Sequence, residues 1–422
     1  MSEGSAMRIL ISGASVAGPV LAYWLNQYGY RPTVVERAPT LRKTGGHAVD
    51  LFRPSLRIVE RMGLRDAVLD SEVGTERVTF LMEGAGPIRL DHHSALGVTS
   101  SEHVEIMRDD LSEIFYDATR DDVEYVFGDS IASIGDGRDE VQVTFERGSP
   151  RSFDLVIGAD GLHSNVRGLT FGEERAFSRH LGGYVAVATV PDHLGLSAEM
   201  ITMAVPGRVL SMYSPRHLDE ARAIFMFRPP GRLDYHRRDT ARQKELLLEH
   251  FGGIGWEAPR LLAELDRAPA FYFDEITQLR LDSWSRGRVS LVGDAAYCPG
   301  PAVGASTSLA LIGAYVLAGE LAAAGGDHTA AFPAYEREMA GYVRRARTYA
   351  ERMVKQVIPG TRAQLWAGAQ TMRLVGALPA PLGRALSKRV NSMGVHENIE
   401  IKNYLGSLDG HHRGGRRRLP RA

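Results

Sequence analysis

The sequence predicts an α/β fold: a dinucleotide-binding parallel sheet, interrupted by a second domain built on an antiparallel β-sheet and followed by a helical C-terminal segment. Three observations carry this. Residues 7–36 open the chain with a βαβ pattern around a glycine turn. Strands that end on glycine or an acid recur far downstream, at residues 154–161 and 288–294. Between them, over about 177–273, the texture changes to strands rich in Met, Tyr and Phe.

In the first unit, an apolar strand over 8–12 runs into Gly13-Ala14-Ser15-Val16-Ala17-Gly18. A helical run reaches about Tyr28, and a second strand, 32–35, ends at Glu36. Gly13 permits the tight turn, and Gly18 lets helix and strand pack closely. The helix N-terminus offers free N–H groups to a pyrophosphate, and Glu36 can accept from ribose hydroxyls. Ser15 stands where the usual pattern has its middle glycine. A plain turn would explain the glycines but leave Glu36 without a role.

A loop over 37–46 leads to His47-Ala48-Val49-Asp50-Leu51, and a helix over 55–62 is stopped by Gly63. Short strands at 78–82 and 87–90 flank a glycine-rich turn. The spacing of Leu111, Ile114 and Phe115 predicts a helix over 108–119. Strands follow at 124–127, 131–134, 141–145 and 155–158, the last apolar throughout, as a strand buried on both faces requires. Four strands of a second sheet are predicted at 184–190, 201–205, 209–214 and 221–227, with helices at 240–251 and 259–264. Helical patterns dominate 307–388. The predicted division is 1–75, 98–176 and 274–350 for the nucleotide domain, 76–97 and 177–273 for the second sheet, 351–408 for C-terminal helices, and 409–422 for a basic, disordered tail.

A net charge of −1 argues against nucleic acid or an anionic membrane surface as a bulk partner. The single cysteine, Cys298, excludes an internal disulfide and fits a reducing cytoplasm. The opening MSEGSA lacks a signal-peptide layout. The apolar run 308–324 carries Glu320 and many small residues, which predicts a core helix rather than a membrane span. The pairs His92-His93 and His411-His412 have no ligand spacing around them, so no metal site is expected. Neither a P-loop nor a nucleophile elbow occurs.

Two further motifs join the glycine turn. One is Asp154-Leu155-Val156-Ile157-Gly158-Ala159-Asp160-Gly161, followed by Ser164 and Arg167. The other is Gly293-Asp294-Ala295-Ala296, followed by Pro299-Gly300-Pro301 and Gly304-Ala305-Ser306. Each alone reads equally well as a capped turn before a helix, with Asp294 as the cap. In this order all three place glycines and acids at carboxyl ends of strands, where open α/β sheets bind ligands.

With these motifs the chain resembles, over residues 7–350, the single-component FAD-dependent class A monooxygenases, the family of para-hydroxybenzoate hydroxylase and the tetracycline-inactivating monooxygenases. The resemblance implies a glutathione-reductase-like FAD domain with an inserted antiparallel substrate sheet, non-covalent FAD, and NAD(P)H as a transient co-substrate. It implies that Gly13, Ser15, Gly18, Glu36 and Arg37 hold the ADP half of FAD. Asp160 and Gly161 would touch both FAD and NAD(P)H, and Gly293 and Asp294 the ribityl and pyrophosphate region. Arg108 would reach the flavin chain, and Gly45-Gly46 would leave the ring room to swing. Pro299-Gly300-Pro301 would turn beneath the ring, and Gly304, Ala305 and Ser306 would offer amides to it. Three departures stand out: Tyr297 where a histidine is common, no second glycine after Gly304, and Gly313 where an acid is common.

In that family O2 adds to the reduced flavin at C4a, and the hydroperoxide gives one oxygen to an aromatic or polyketide-like substrate. Such chemistry needs a dry, apolar chamber. Tyr184, Met203, Met212, Tyr213, Phe225 and Phe227 could line it or could be sheet core; Tyr213 and Phe225 are the preferred wall residues. His47 is either the acceptor of a substrate hydroxyl proton or a packed histidine. Cys298 is expected to be a buried small hydrophobe rather than a flavin link. Two other functions stay open: a flavoprotein reductase or desaturase on the same scaffold, and a non-catalytic flavin-binding regulator. Oligomeric state is open, and the apolar stretch 365–388 fits core, dimer contact or pocket lid.

Overall fold

The computed structural model describes residues 6–41, 46–82, 85–96, 103–301, 306–378, 382 and 399–404. Gly45, Gly304, Ala305 and the tail 409–422 lie outside these. A six-stranded sheet runs in the order Ser285–Arg286, Val289–Leu291, Leu155–Gly158, Arg8–Ser12, Arg31–Glu36, Glu124–Phe127. All neighbours are parallel except the first pair. The continuous apolar runs Ile9-Leu10-Ile11 and Leu155-Val156-Ile157 are explained by this: parallel strands are covered on both faces, and all six side chains are fully buried. The helices Ala17–Gln27 and Ser306–Ala323 pack together at the sheet. The second is apolar all round and 78% buried, as a core helix is. A three-stranded antiparallel sheet, Ile131–Asp136, Val141–Phe145 and Arg151–Phe153, forms part of the crossover to Leu155–Gly158.

The second sheet has seven strands: the six expected within 76–97 and 177–273, and a seventh, Phe271–Leu279, that the sequence did not predict. Its order is Phe271–Leu279, Ser178–Pro191, Glu220–Phe227, Arg208–Tyr213, Glu199–Val205, Arg77–Met82, Ala85–Asp91. It is not wholly antiparallel: Glu199–Val205 pairs parallel with Arg77–Met82, because those segments arrive from distant parts of the chain rather than through a hairpin. Its last member, Phe271–Leu279, continues past the expected boundary at 273.

The two faces of this sheet have different partners. Tyr184, Leu210, Met212, Phe225 and Phe227 pack against Leu246, Leu247, Phe251 and Leu261 of the helices Thr240–Phe251 and Ala258–Glu264. Val185, Val187, Val209, Met226 and Ile276 face Ala350, Val354 and Ile358. Tyr213, Arg222 and Tyr272 alternate onto this second face, which meets the nucleotide domain.

Two C-terminal expectations need correction. The helix His328–Val357 is unbroken, so a boundary at 350 falls inside it. Helix Arg362–Ala377 follows and covers Ile88 and Leu90 with Ala369 and Val375. Residues 399–404 are not helical; they form a strap on helix Ser306–Ala323. The Tyr404 hydroxyl donates to Glu320 Oε1 at 2.6 Å, Lys402 Nζ lies 2.7 Å from the same oxygen, and the Tyr404 amide donates to the Tyr315 hydroxyl at 3.1 Å.

Candidate functional site

Adjacent parallel strands deliver all three motifs to one edge. Ser12 is in register with Gly158 and Val35, and Gly158 with Leu291. The motifs follow directly from these tips. The Gly13 amide donates to Val35 O at 2.8 Å, Ala159 N to Ser12 O at 2.8 Å, and Val292 N to Gly158 O at 2.9 Å. Gly13 has φ +109°, and a Cβ there would lie 2.5 Å from the Ala159 carbonyl oxygen, so the first and second motifs touch through a position only glycine fills. A Cβ at Gly293 would lie 3.3 Å from the Cβ of Ala17 and of Ala310, which brings the third motif to the same helix N-terminus.

The helix Ala17–Gln27 begins with no side-chain cap and no acid in its first turn, so its leading N–H groups remain available to an anion. Ser15 is exposed beside them, its Oγ 3.3 Å from Ser112 Oγ. Glu36 is not idle in the strand tip: it accepts from the Ala14 amide at 2.9 Å and the Ala38 amide at 2.8 Å. These bonds brace the turn, and each carboxylate oxygen keeps a lone pair for a ribose hydroxyl. Arg37 is exposed immediately beyond. These residues fit the ADP half of a dinucleotide.

The Asp160 carboxylate is spent locally. It accepts from Ser164 Oγ at 2.5 Å and from the amides of Asn165 and Val166 at 2.8 and 3.0 Å, capping the helix Asn165–Phe171. Burial holds this carboxyl above the usual range against the pull of those donors. What the segment offers outward is the backbone of Gly161, at φ +80°. Asp294 opens a short helical turn and accepts from Ser306 Oγ at 2.6 Å; burial raises it too. Pro301 is part-buried in the turn after Gly300, and Cys298 is fully buried beside Asp294, where burial pushes the thiol well up. Such a thiol is protonated and inert.

Two of the departures from the resemblance are one structural fact. A Cβ at Gly313 would lie 1.8 Å from the Tyr297 hydroxyl, so Tyr297 occupies the space a side chain at 313 would need. The Tyr335 hydroxyl sits between Tyr297 Oη at 3.2 Å and Leu291 O at 3.1 Å.

Beyond the strand tips, the second sheet meets the nucleotide domain at Gly46, His47 and Arg108. The Gly46 amide donates to Asp109 Oδ2 at 2.7 Å, and its carbonyl accepts from Arg222 Nε at 3.1 Å. The Arg108 amide, opening the helix Arg108–Asp117, donates to His47 O at 3.1 Å. Burial and the Arg108 guanidinium push the His47 imidazole down to about 4. At pH 7 it is neutral and able to accept a hydrogen bond. Its ring lies 6.0 Å from that of Tyr272.

The preferred wall residues divide. Tyr213 is on the interdomain face but fully buried, its oxygen accepting from the Ala48 amide at 2.8 Å. It fastens the sheet to the strand Ala48–Leu51. Phe225 is displaced from the wall altogether: it points to the opposite face, edge-on to Phe251 at 5.1 Å. Alternation had left its face undetermined. Arg222 and Tyr272 were missed. Arg222 carried a signal, a charge interrupting the otherwise apolar run 221–227; it is 2% exposed and paired to Glu220 at 2.9 Å.

His163, three residues past Asp160, bridges the domains. Nδ1 lies 2.9 Å from Glu174 Oε1 and Nε2 3.0 Å from Asp274 Oδ2, and the two carboxylates raise the imidazole to about 9 despite burial. A raised folded value stabilises fully below the unfolded value near 6.5 and is lost as pH climbs through 9. With the ring 33% exposed and screened, the expected contribution is about 1–2 kcal/mol. His163→Gln should therefore cost Tm at pH 6 and little at pH 10, read by thermal melts across that range; equal losses at both ends would contradict the assignment.

Converging parallel strand tips around an uncapped helix N-terminus, with a second sheet closing over the far end, define a dinucleotide-binding oxidoreductase scaffold. The chain belongs to the FAD-binding-domain family, whose pattern matches residues 6–357. A flavin-dependent monooxygenase of Legionella longbeachae is 38% identical over 337 residues, covering 80% of this chain and 86% of that one. The Mycobacterium tuberculosis protein Rv1260 is 45% identical over 355 residues, covering 83% and 94%. Among solved structures, the tetracycline destructase Tet(55) superposes with a TM-score of 0.80 at 33% identity, over 94% of this chain and 99% of that one. HpxO with FAD and uric acid shares the fold, at 22% identity and a TM-score of 0.71 over 92% and 97%. The protein is an FAD-dependent monooxygenase of the aromatic hydroxylase type.

Proposed function

We propose that this monooxygenase spends NAD(P)H and O2 to hydroxylate, or otherwise insert one oxygen atom into, an aromatic or polyketide-like small molecule in the cytoplasm. Its FAD domain, of the glutathione-reductase type, is interrupted by the seven-stranded sheet, which serves as the substrate domain. The observation that carries the reading is the seam at Gly46, His47, Arg108, Arg222 and Tyr272, where that sheet meets the cofactor edge. The likeness to Tet(55), a tetracycline destructase, supports a polycyclic substrate.

In this reading Gly13, Ser15, Gly18, Glu36 and Arg37 hold the ADP half, Asp160 and Gly161 shape the adjoining turn, and Gly293, Asp294 and Ser306 hold the middle of the cofactor. Arg108, Gly46 and Pro301 border the ring. Bound and reduced, FAD supplies an electrophilic oxygen atom taken from O2. The chain's own work is to exclude water and to place the substrate. His47, neutral and hard to protonate, accepts a hydrogen bond from a substrate hydroxyl rather than storing its proton, which increases electron density on the attacked ring. Arg222 sets a buried positive charge beside the same space.

The test is turnover of FAD-loaded protein with NADPH in air against polycyclic phenols, read by mass spectrometry and oxygen uptake. One added oxygen atom per NADPH is expected with at least one of them. Reduced or desaturated products would instead make it a reductase, and flavin that no nicotinamide reduces would make it a binding protein.

A further inference from the structure

Tyr272 is the innermost member of a ladder of charged groups that crosses the domain seam. Its hydroxyl donates to Asp274 Oδ2 at 3.2 Å. The same oxygen faces His163 Nε2 at 3.0 Å, while His163 Nδ1 faces Glu174 Oε1 at 2.9 Å. Glu174 Oε2 in turn accepts from Arg167 Nη2 at 2.6 Å, and Arg237 also acts on Glu174. Asp274 Oδ1 accepts from the Glu275 amide at 2.8 Å.

Direction follows from donor counting. Both nitrogens of His163 face carboxylates, so both are satisfied only as donors, in the imidazolium form. An imidazolium at 3.0 Å keeps Asp274 ionised, and an ionised carboxylate can only accept. The single proton of Tyr272 is thereby committed to Asp274. Toward the chamber its oxygen has lone pairs alone. The tyrosine is part-buried, on the sheet face that meets the nucleotide domain, with its ring 6.0 Å from that of His47. The Arg108 guanidinium acts on its hydroxyl, which sets it toward the cofactor edge rather than in the sheet core.

We propose that Tyr272 determines substrate polarity in this chamber: fixed as an acceptor by the Asp274–His163–Glu174 ladder, it selects molecules with a free phenol or enol hydroxyl over their O-alkylated counterparts. This rests on the seam being the substrate chamber. Tyr272 and the neutral His47 then present two acceptors side by side, a pattern complementary to neighbouring hydroxyls on one ring system.

Equilibrium binding to the FAD-loaded protein tests this without turnover. Alizarin, naphthol and tetracycline are each compared with their O-methyl ethers by flavin fluorescence and calorimetry. The wild type should bind the hydroxyl form about 10-fold or more tightly. Tyr272→Phe should remove that ratio by weakening the hydroxyl form alone. Asp274→Asn offers an amide N–H to the tyrosine oxygen, frees its proton to point outward and should shift the ratio toward the ethers. His163→Gln, which retains a donor for Asp274, should keep the preference. If Tyr272→Phe weakens both forms equally, or leaves the ratio unchanged, the inference falls while the chamber stands. If no hydroxyl form binds to the wild type, both fall.

Discussion

Gly18→Ala is expected to yield protein that folds but does not retain FAD. A Cβ at this position would lie 1.9 Å from the Gly13 carbonyl oxygen, a separation that no rotamer relieves. The turn cannot step aside. Gly13 is tied to Val35 by its amide at 2.8 Å, backed by Ala159, and followed by an Ala14 amide bound to Glu36. Any shift that accommodates the methyl group therefore misdirects the N–H groups that would meet the pyrophosphate and breaks the brace on Glu36. The expected cost is about 1–3 kcal/mol of stability from overpacking. The FAD Kd should weaken about 100-fold or more, or roughly 3 kcal/mol. Flavin absorbance relative to protein after gel filtration reads retention, and quenching of added FAD reads the Kd. Gly168→Ala is the matched control: nothing lies within 4 Å of a Cβ there, its φ is not positive, and it is exposed in the helix Asn165–Phe171. That variant should keep its flavin. A Gly18→Ala protein as yellow as the wild type would refute the convergence of strand tips on one cofactor.

The sequence announces the cofactor edge more plainly than the chamber, for a physical reason. Gly13, Gly18, Gly293 and Glu36 are set by backbone demands, a positive φ, a close approach or a strand end, and such demands select a residue type at a fixed spacing. Chamber positions are set by which way a strand faces. In Glu220–Phe227 the alternation is legible, but it does not say whether Phe225 or Ile224 meets the nucleotide domain. Long-range pairing decides that, and it turned Phe225 to the helices and Arg222 to the seam. Tyr272 was illegible for a related cause: its importance lies in Asp274 and His163, and the latter is brought to Asp274 from 111 residues away. The unpredicted seventh strand follows from the same limit, since Phe271–Leu279 is set by its pairing with Ser178–Pro191, about ninety residues away, and the parallel direction of Arg77–Met82 against Glu199–Val205 likewise leaves no local signal. The strap at 399–404 has no periodicity at all, and its role is visible only in what it covers.

Tyr404→Ala should be the most destabilising single change distant from the cofactor, and it should reach the cofactor all the same. Tyr404 is 2% exposed, and its ring lies over Gly319 so closely that a Cβ there would be 2.3 Å from Cγ. Its ring centroid is 5.4 Å from that of Tyr315, and its hydroxyl satisfies Glu320, a carboxylate 9% exposed within a core helix. Truncation opens a large cavity and leaves the Glu320 carboxylate to Lys402, 2.7 Å away and half exposed. A cost of about 3–5 kcal/mol follows from the cavity. Tyr404→Phe keeps the ring and removes only the hydroxyl, so about 1–2 kcal/mol is expected. Thermal melts separate the two. The link to function is the helix itself: Ser306–Ala323 carries Glu320 near its end, while Ser306 at its start donates to Asp294. Loosening the helix by removing the strap's tyrosine should weaken FAD binding through Asp294, and excess FAD should recover part of the lost Tm by mass action. Should Tyr404→Ala melt with the wild type, the strap is not docked in solution and Glu320 must find its partners elsewhere. A lowered Tm that excess FAD leaves untouched would instead confine the strap to stability and sever it from the cofactor edge.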